Sequence, residues 1–74
     1  MSESEQNELA ARARRRARAR LARLEADLAY FQARIEILRD PVTMNQQAQR
    51  KAFTALYALF AKVAGAYGRE AARP

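Results

Sequence analysis

Residues 38–47 read Leu38-Arg39-Asp40-Pro41-Val42-Thr43-Met44-Asn45-Gln46-Gln47, a break between two long stretches of helix-forming sequence. Proline disfavours helical geometry in the residue before it and has no amide to continue a helix, so the preceding segment should stop at about Arg39. The same residues can restart one. Asp40 suits the N-cap and Pro41 the first helical position, while Thr43 with Gln46 three positions on offers a capping box as an alternative start.

Working outward, the spacing predicts a helix on each side. Upstream, no glycine or proline interrupts the chain between Ser2 and Arg39, and alanine, leucine, arginine and glutamate are strong helix formers. Ser2 with Glu5 fits a capping box, and Glu3, Glu5 and Glu8 lie where the positive end of the helix dipole favours acids. Leu21, Leu24, Leu28, Phe31, Ile35 and Leu38 alternate steps of three and four, a heptad seam. Downstream, Phe53, Leu56, Phe60, Val63 and Tyr67 repeat that spacing. A short connection makes the two segments antiparallel. The expectation is an all-α fold, an antiparallel two-helix hairpin (αα-hairpin) with coiled-coil-like packing. It forms a single domain over residues 1–74, with helix 1 over about 3–39, a turn at 40–42, helix 2 over about 43–67 and a frayed tail at 68–74. In this register Leu28 meets the Phe53 to Leu56 region, Leu24 meets Phe60 and Leu21 meets Val63. Gln46, Gln47 and Gln49 leave the seam polar near the turn, opposite Ile35.

The second helix has more apolar surface than one neighbour covers. Ala52, Leu59 and Ala66 widen its seam on one side, Tyr57 and Ala64 on the other, giving an arc of roughly 200° where about 100° serves an ordinary core-facing stripe. Tyr30, Ile37, Tyr57 and Leu59 fall off the intramolecular seam. A chain of 74 residues packed as two helices has little interior and marginal stability of its own, so a partner or self-association adds what is missing.

Composition removes several classes of function. There is no cysteine and no histidine, so disulfides and the usual zinc and iron ligand sets are excluded; no cofactor or metal is expected. Catalysis would need an activated nucleophile or paired carboxylates in a pocket. Glu25 and Asp27 are two apart on a helix and diverge, and Glu36 and Asp40 sit beside Arg39 as a solvated helix end, so a non-enzyme is expected. The start of the chain is acidic where a secretory signal would be basic and then apolar, and no apolar run approaches the ~20 residues that span a bilayer. A cytoplasmic protein without membrane partners is the expectation.

Charge is uneven. Fourteen basic residues stand against eight acidic ones for a net +6, and Arg12, Arg14, Arg15, Arg16, Arg18, Arg20 and Arg23 crowd into one stretch. Pairs such as Arg12–Arg16 and Arg16–Arg20 are like charges four apart, each costing about 0.2–0.5 kcal/mol. Such repulsion suggests an external anion, so a nucleic-acid-binding basic coiled coil using Arg12 to Arg23 is the alternative function. Against it, the arginines are distributed around the helix and alternate with alanines in place of base-stacking aromatics. A homo-oligomeric structural bundle, a four-helix homodimer, is a further alternative.

Two resemblances bear on these readings. Asn7-Glu8-Leu9-Ala10-Ala11-Arg12-Ala13-Arg14-Arg15 resembles the basic-region leucine-zipper signature in Asn7, Ala10, Ala11 and Arg15; it departs from it at Arg14, where that family has Ser or Cys, and Pro41 halts the zipper early. Leu38-Arg39-Asp40-Pro41, then Asn45-Gln46-Gln47, then Lys51-Ala52-Phe53 through Val63-Ala64-Gly65, following a heptad helix, resembles the small E component of bacterial type III secretion systems. That resemblance implies a helical hairpin that pairs with a tetratricopeptide-like chaperone, the two together holding the needle subunit unpolymerised in the bacterial cytoplasm. The combined expectation is a co-chaperone or assembly factor whose second helix lies in the groove of a helical partner, with Phe53, Leu56, Tyr57, Leu59, Phe60 and Val63 as the binding residues.

Overall fold

The computed structural model describes residues 2–73. Two helices, α1 (Glu3–Ile37) and α2 (Met44–Ala71), pack against each other as the hairpin anticipated from the sequence. The molecule is a rod of 62 × 14 × 14 Å. Most of that length is α1, whose 35 residues at about 1.5 Å each span roughly 52 Å.

Each terminus has a local cause. The Ser2 hydroxyl accepts a hydrogen bond from the Glu5 amide at 3.2 Å, and Glu3 and Glu5 occupy the first turn. At the other end α1 stops at Ile37, two residues before the predicted limit. Leu38 leaves helical geometry at φ −97°, ψ 16° while its amide still donates to the Arg34 and Ile35 carbonyls, both at 3.1 Å. Pro41 excludes a helical Asp40, so the chain unwinds early, and Leu38 turns inward and is buried. Of the two possible starts, α2 uses the later. The Thr43 hydroxyl accepts from the Gln46 amide at 3.0 Å, and Gln46 Oε1 accepts from the Val42 amide at 2.8 Å and the Thr43 amide at 3.2 Å. The capping box is complete. Gln46 is thereby turned to the cap, and Asp40 stays outside the helix beside Arg39, its carboxylate 3.7 Å from Arg39 Nε.

The C-terminal limit also differs. The sequence predicts an end near Tyr67 and a frayed tail from residue 68, but α2 continues to Ala71. Gly65 and Gly68 keep negative φ within the helix. Glycine costs a helix about 1 kcal/mol, yet α2 runs through both positions; beside Gly68, Leu21 Cδ2 would lie 4.0 Å from an added Cβ. Tyr67, Gly68, Glu70 and Ala71 are half-buried. Pro74, the last residue of the expected tail, lies outside the described residues.

The seam of α1 is the predicted one, extended by a turn to Ala17, which is buried. On α2 both phase and register differ. The inward residues are Phe53, Tyr57, Phe60, Ala64 and Tyr67, with Ala64 buried and the aromatics half-buried. Tyr57, expected off the seam, is on it, whereas Leu56 and Val63 have rotated to a flank. Phe31, not Leu28, faces this aromatic row, with ring centroids 6.1 Å from Phe53 and 5.0 Å from Phe60. Leu24 shares a groove with Val63 and Tyr67, and Leu21 faces Gly68, so α2 is displaced by about one turn from the predicted pairing. Two causes act together. The connection, residues 38–43, ends in extended backbone at Thr43 with ψ 160°, which starts α2 beyond the end of α1. Exchanging Leu56 and Val63 for Tyr57 and Ala64 also adds a fourth aromatic ring to a seam that holds Phe53, Phe60 and Tyr67 in either phase, and the small Ala64 leaves the room for it.

Replacing Phe31 removes the ring that both Phe53 and Phe60 contact. Phe31→Ala should cost about 3 kcal/mol, whereas Ile37→Ala, at a side chain 70% exposed, should stay within about 0.5 kcal/mol. Urea denaturation followed by circular dichroism measures both. In the same assay Thr43→Ala, which deletes half of the capping box, should cost about 1 kcal/mol.

Candidate protein-docking face

The rotation of α2 determines what is left outside. With the aromatics inward, Leu56, Leu59 and Val63 fall on one flank, three apart and then four apart, so they stack along one line of the helix. Leu59 is 56% exposed, and Leu56 and Val63 each remain more than a third exposed. On α1, Arg23, Tyr30 and Ile37 are spaced by seven and likewise share a line. Tyr30 is 57% exposed.

The two lines lie on the same side of the hairpin. Arg23 and Val63 line one interhelical groove of about 230 Å³, together with Arg20, Leu24, Asp27 and Tyr67. Farther toward the turn, Tyr30 reaches across to Phe53, edge to face at 6.2 Å and 80°. Arg34 lies 5.5 Å over the Phe53 ring; its Nε is buried without a hydrogen-bond partner among the described residues, and the stacking on Phe53 offsets that loss. One side of the rod therefore carries exposed apolar side chains from both helices between Ile37 and Val63, with Arg34 among them over Phe53 and Arg23 at the far end.

Of the six binding residues anticipated from the sequence, Leu56, Leu59 and Val63 are on this face. Phe53, Tyr57 and Phe60 are half-buried within the hairpin, where Phe53 and Phe60 contact Phe31. The sequence pattern sets Tyr30, Ile37, Tyr57 and Leu59 off the seam as the expected contacts, but it does not join Tyr30 and Ile37 to Leu56 and Val63. It names Arg23 only as part of the arginine run and misses Arg34. The seven-residue spacing of Arg23, Tyr30 and Ile37 is the available signal, and it becomes meaningful only once the phase of α2 is fixed.

The arginine run continues from this face toward the end of the rod away from the turn. Arg14 is half-buried and the other six are exposed. Arg12 is paired with Glu8 at 2.8 Å; among the described residues none of Arg14, Arg15, Arg16, Arg18, Arg20 or Arg23 makes an ion pair. Their distribution is less uniform than the sequence suggests. Arg16, Arg20 and Arg23 line a shared groove with Ala19, adjoining the groove that Arg20 and Arg23 share with Leu24, Val63 and Tyr67. Arg20 also sits 5.9 Å over the Tyr67 ring.

No helix of the described residues is long and apolar enough to cross a membrane. Compared with known proteins, the chain matches no protein-family model, no curated protein and no solved structure. What the face can do therefore rests on its own chemistry: it offers apolar area and fixed cationic groups to another surface.

The phase of α2 has a direct test in stability. Ala64→Leu should cost about 1–3 kcal/mol by overfilling the seam, while Leu59→Ala, on the open flank, should change stability by less than about 0.5 kcal/mol. The reverse order in denaturant melts would place Leu59 in the seam and remove the exposed face.

Proposed function

We propose that this chain is a non-enzymatic protein-binding module, a co-chaperone or assembly factor that completes a helical bundle with a partner through the Tyr30, Ile37, Leu56, Leu59 and Val63 face. One observation carries the reading: five large apolar side chains from two helices are exposed on one side of a hairpin whose buried residues are only Ala17, Leu38 and Ala64 among those described. Exposed patches of this kind mark interaction surfaces on small proteins. A partner helix laid along the face would desolvate all five and supply the second neighbour that α2 lacks, in the helix-in-groove mode.

The likeness of the chain's layout to the E component of type III secretion systems supports a specific case of this function. On that likeness the partner is a tetratricopeptide-like chaperone, and the assembly keeps a needle subunit unpolymerised in the cytoplasm. The exposed flank of α2 suits the concave groove of a helical repeat, which takes up the apolar side of an amphipathic helix.

Affinity purification of the tagged chain from its native host, with identification of retained proteins by mass spectrometry, tests the proposal. A helical-repeat chaperone should be retained by the wild-type chain, lost about tenfold or more with Leu59→Ser, and held undiminished by Lys62→Ala, since large central apolar anchors dominate such interfaces. Equal retention by wild type and Leu59→Ser contradicts the proposal.

A further inference from the structure

The apolar face and the arginine groove are adjacent parts of one surface, and the line of Arg23, Tyr30 and Ile37 joins them. From the turn downward the face presents Ile37, Tyr30, Leu56, Leu59 and Val63. At Val63 it meets a groove that also contains Leu24, Tyr67, Arg20 and Arg23, and one turn farther the lining is Arg16, Ala19, Arg20 and Arg23. The surface thus changes from apolar to cationic along its length. Asp27 is the acid that lines the groove beside Arg20 and Arg23, yet it forms no ion pair with either among the described residues.

We infer that the occupant of this face is an acidic amphipathic helix, whose apolar stripe covers Tyr30, Leu56, Leu59 and Val63 and whose carboxylates at one end meet Arg16, Arg20 and Arg23. The inference rests on the reading of the face as a docking surface and adds the chemistry and placement of the partner. Charge complementarity selects this occupant. Arg16 and Arg20 are four apart and repel, and the repulsion is relieved when carboxylates come within a few ångströms. A second copy of the chain would bring a further net charge of +6 to the same surface. A nucleic-acid strand would satisfy the arginines but leave Leu56, Leu59 and Val63 in water, and the residue lining the arginine groove between the cations is Ala19, which offers no stacking platform for a base. An acidic amphipathic helix satisfies both halves.

The partner's carboxylates should supply steering and register more than bulk affinity. Its apolar residues should recur at three and four, and its acids should cluster beyond one end of that stripe. To run from Arg16 to Ile37 it needs about six turns.

Two synthetic helices of that length test the inference against the full chain by fluorescence anisotropy. They share one leucine stripe and differ in carrying glutamates or glutamines at the end apposed to the arginine groove. The glutamate peptide should bind about three- to tenfold tighter at low salt, the advantage should shrink as salt is added, and it should vanish when Arg16→Gln, Arg20→Gln and Arg23→Gln are combined. Leu59→Ser should weaken both peptides alike. Circular dichroism of the variants confirms that these exposed positions leave the helices formed. Equal affinity of the two peptides, or an advantage that survives the triple substitution, overturns the inference. So does a single-stranded oligonucleotide that binds tighter than the glutamate peptide and displaces it, or a dimer in sedimentation that the peptide fails to dissociate. If both peptides bind equally and both are lost with Leu59→Ser, the docking face stands and its acidic occupant is wrong. If neither peptide binds and chaperone retention is insensitive to Leu59→Ser, both readings fail.

Discussion

Phe31 presents its ring to Phe60 edge to face, with centroids 5.0 Å apart at 86°, and lies 6.1 Å from Phe53. Two rings of α2, seven residues apart, thus close on one ring of α1. A contact of that kind fixes two quantities together. Along the axis it sets the register, because sliding α2 by a turn would lift one ring off Phe31. Around the axis it narrows the rotation to the two stripes that carry both Phe53 and Phe60 inward, and the half-buried Tyr57 with the buried Ala64 marks which of them is used. In a two-helix rod with no third layer to constrain it, the arrangement of everything else follows from this junction. Large aromatics are suited to the task because each carries area and an orientation preference that aliphatic side chains lack.

The junction has a consequence on the surface. An apolar arc as wide as that of α2 cannot turn inward as a whole, so choosing the aromatics for the seam assigns Leu56, Leu59 and Val63 to a flank. That flank lies on the same side as Tyr30 and Ile37, and it runs into the groove held by Arg20 and Arg23. Small buried alanines, Ala17 and Ala64, let the two helices approach closely while the larger aliphatics stay outside. Stability and availability are therefore linked on α2: the large side chains it turns to the seam are aromatic, and the ones it leaves on the flank are aliphatic. A partner could bind the offered set without disturbing the junction.

The hairpin itself was legible in the residues. The heptad of α1 from Leu21 to Leu38, the interruption at Asp40-Pro41 and the Thr43–Gln46 pair each correspond to an observed feature, because each depends on local rules: spacing, loss of an amide, a side chain reaching a backbone three residues away. Three features were not legible, for physical reasons. Phe53, Leu56, Phe60, Val63 and Tyr67 share heptad spacing, but so do Phe53, Tyr57, Phe60, Ala64 and Tyr67, and periodicity cannot choose between two stripes inside one wide arc. The register depended on how far residues 38–43 carry the chain before α2 begins, which no spacing rule supplies. The helical stretch past Gly65 and Gly68 runs against local propensity, and the half-burial of Tyr67 and Ala71 along it is a tertiary feature that no local rule supplies. The candidate face inherits the first of these ambiguities. Its residues were named from the sequence, yet which of them face outward followed only from the choice of stripe.

On the hairpin alone Leu59 is more than half exposed and Leu56 and Val63 more than a third exposed, while Leu24 and Leu28 are half-buried between the helices. Methyl-resolved nuclear magnetic resonance with a soluble paramagnetic probe reports this directly for the full chain in dilute solution. Probe broadening should be strongest at the Leu59 methyls, intermediate at those of Leu56 and Val63, and weakest at those of Leu24 and Leu28. Equal protection of all five, or stronger broadening at Leu24 than at Leu59, would contradict the account.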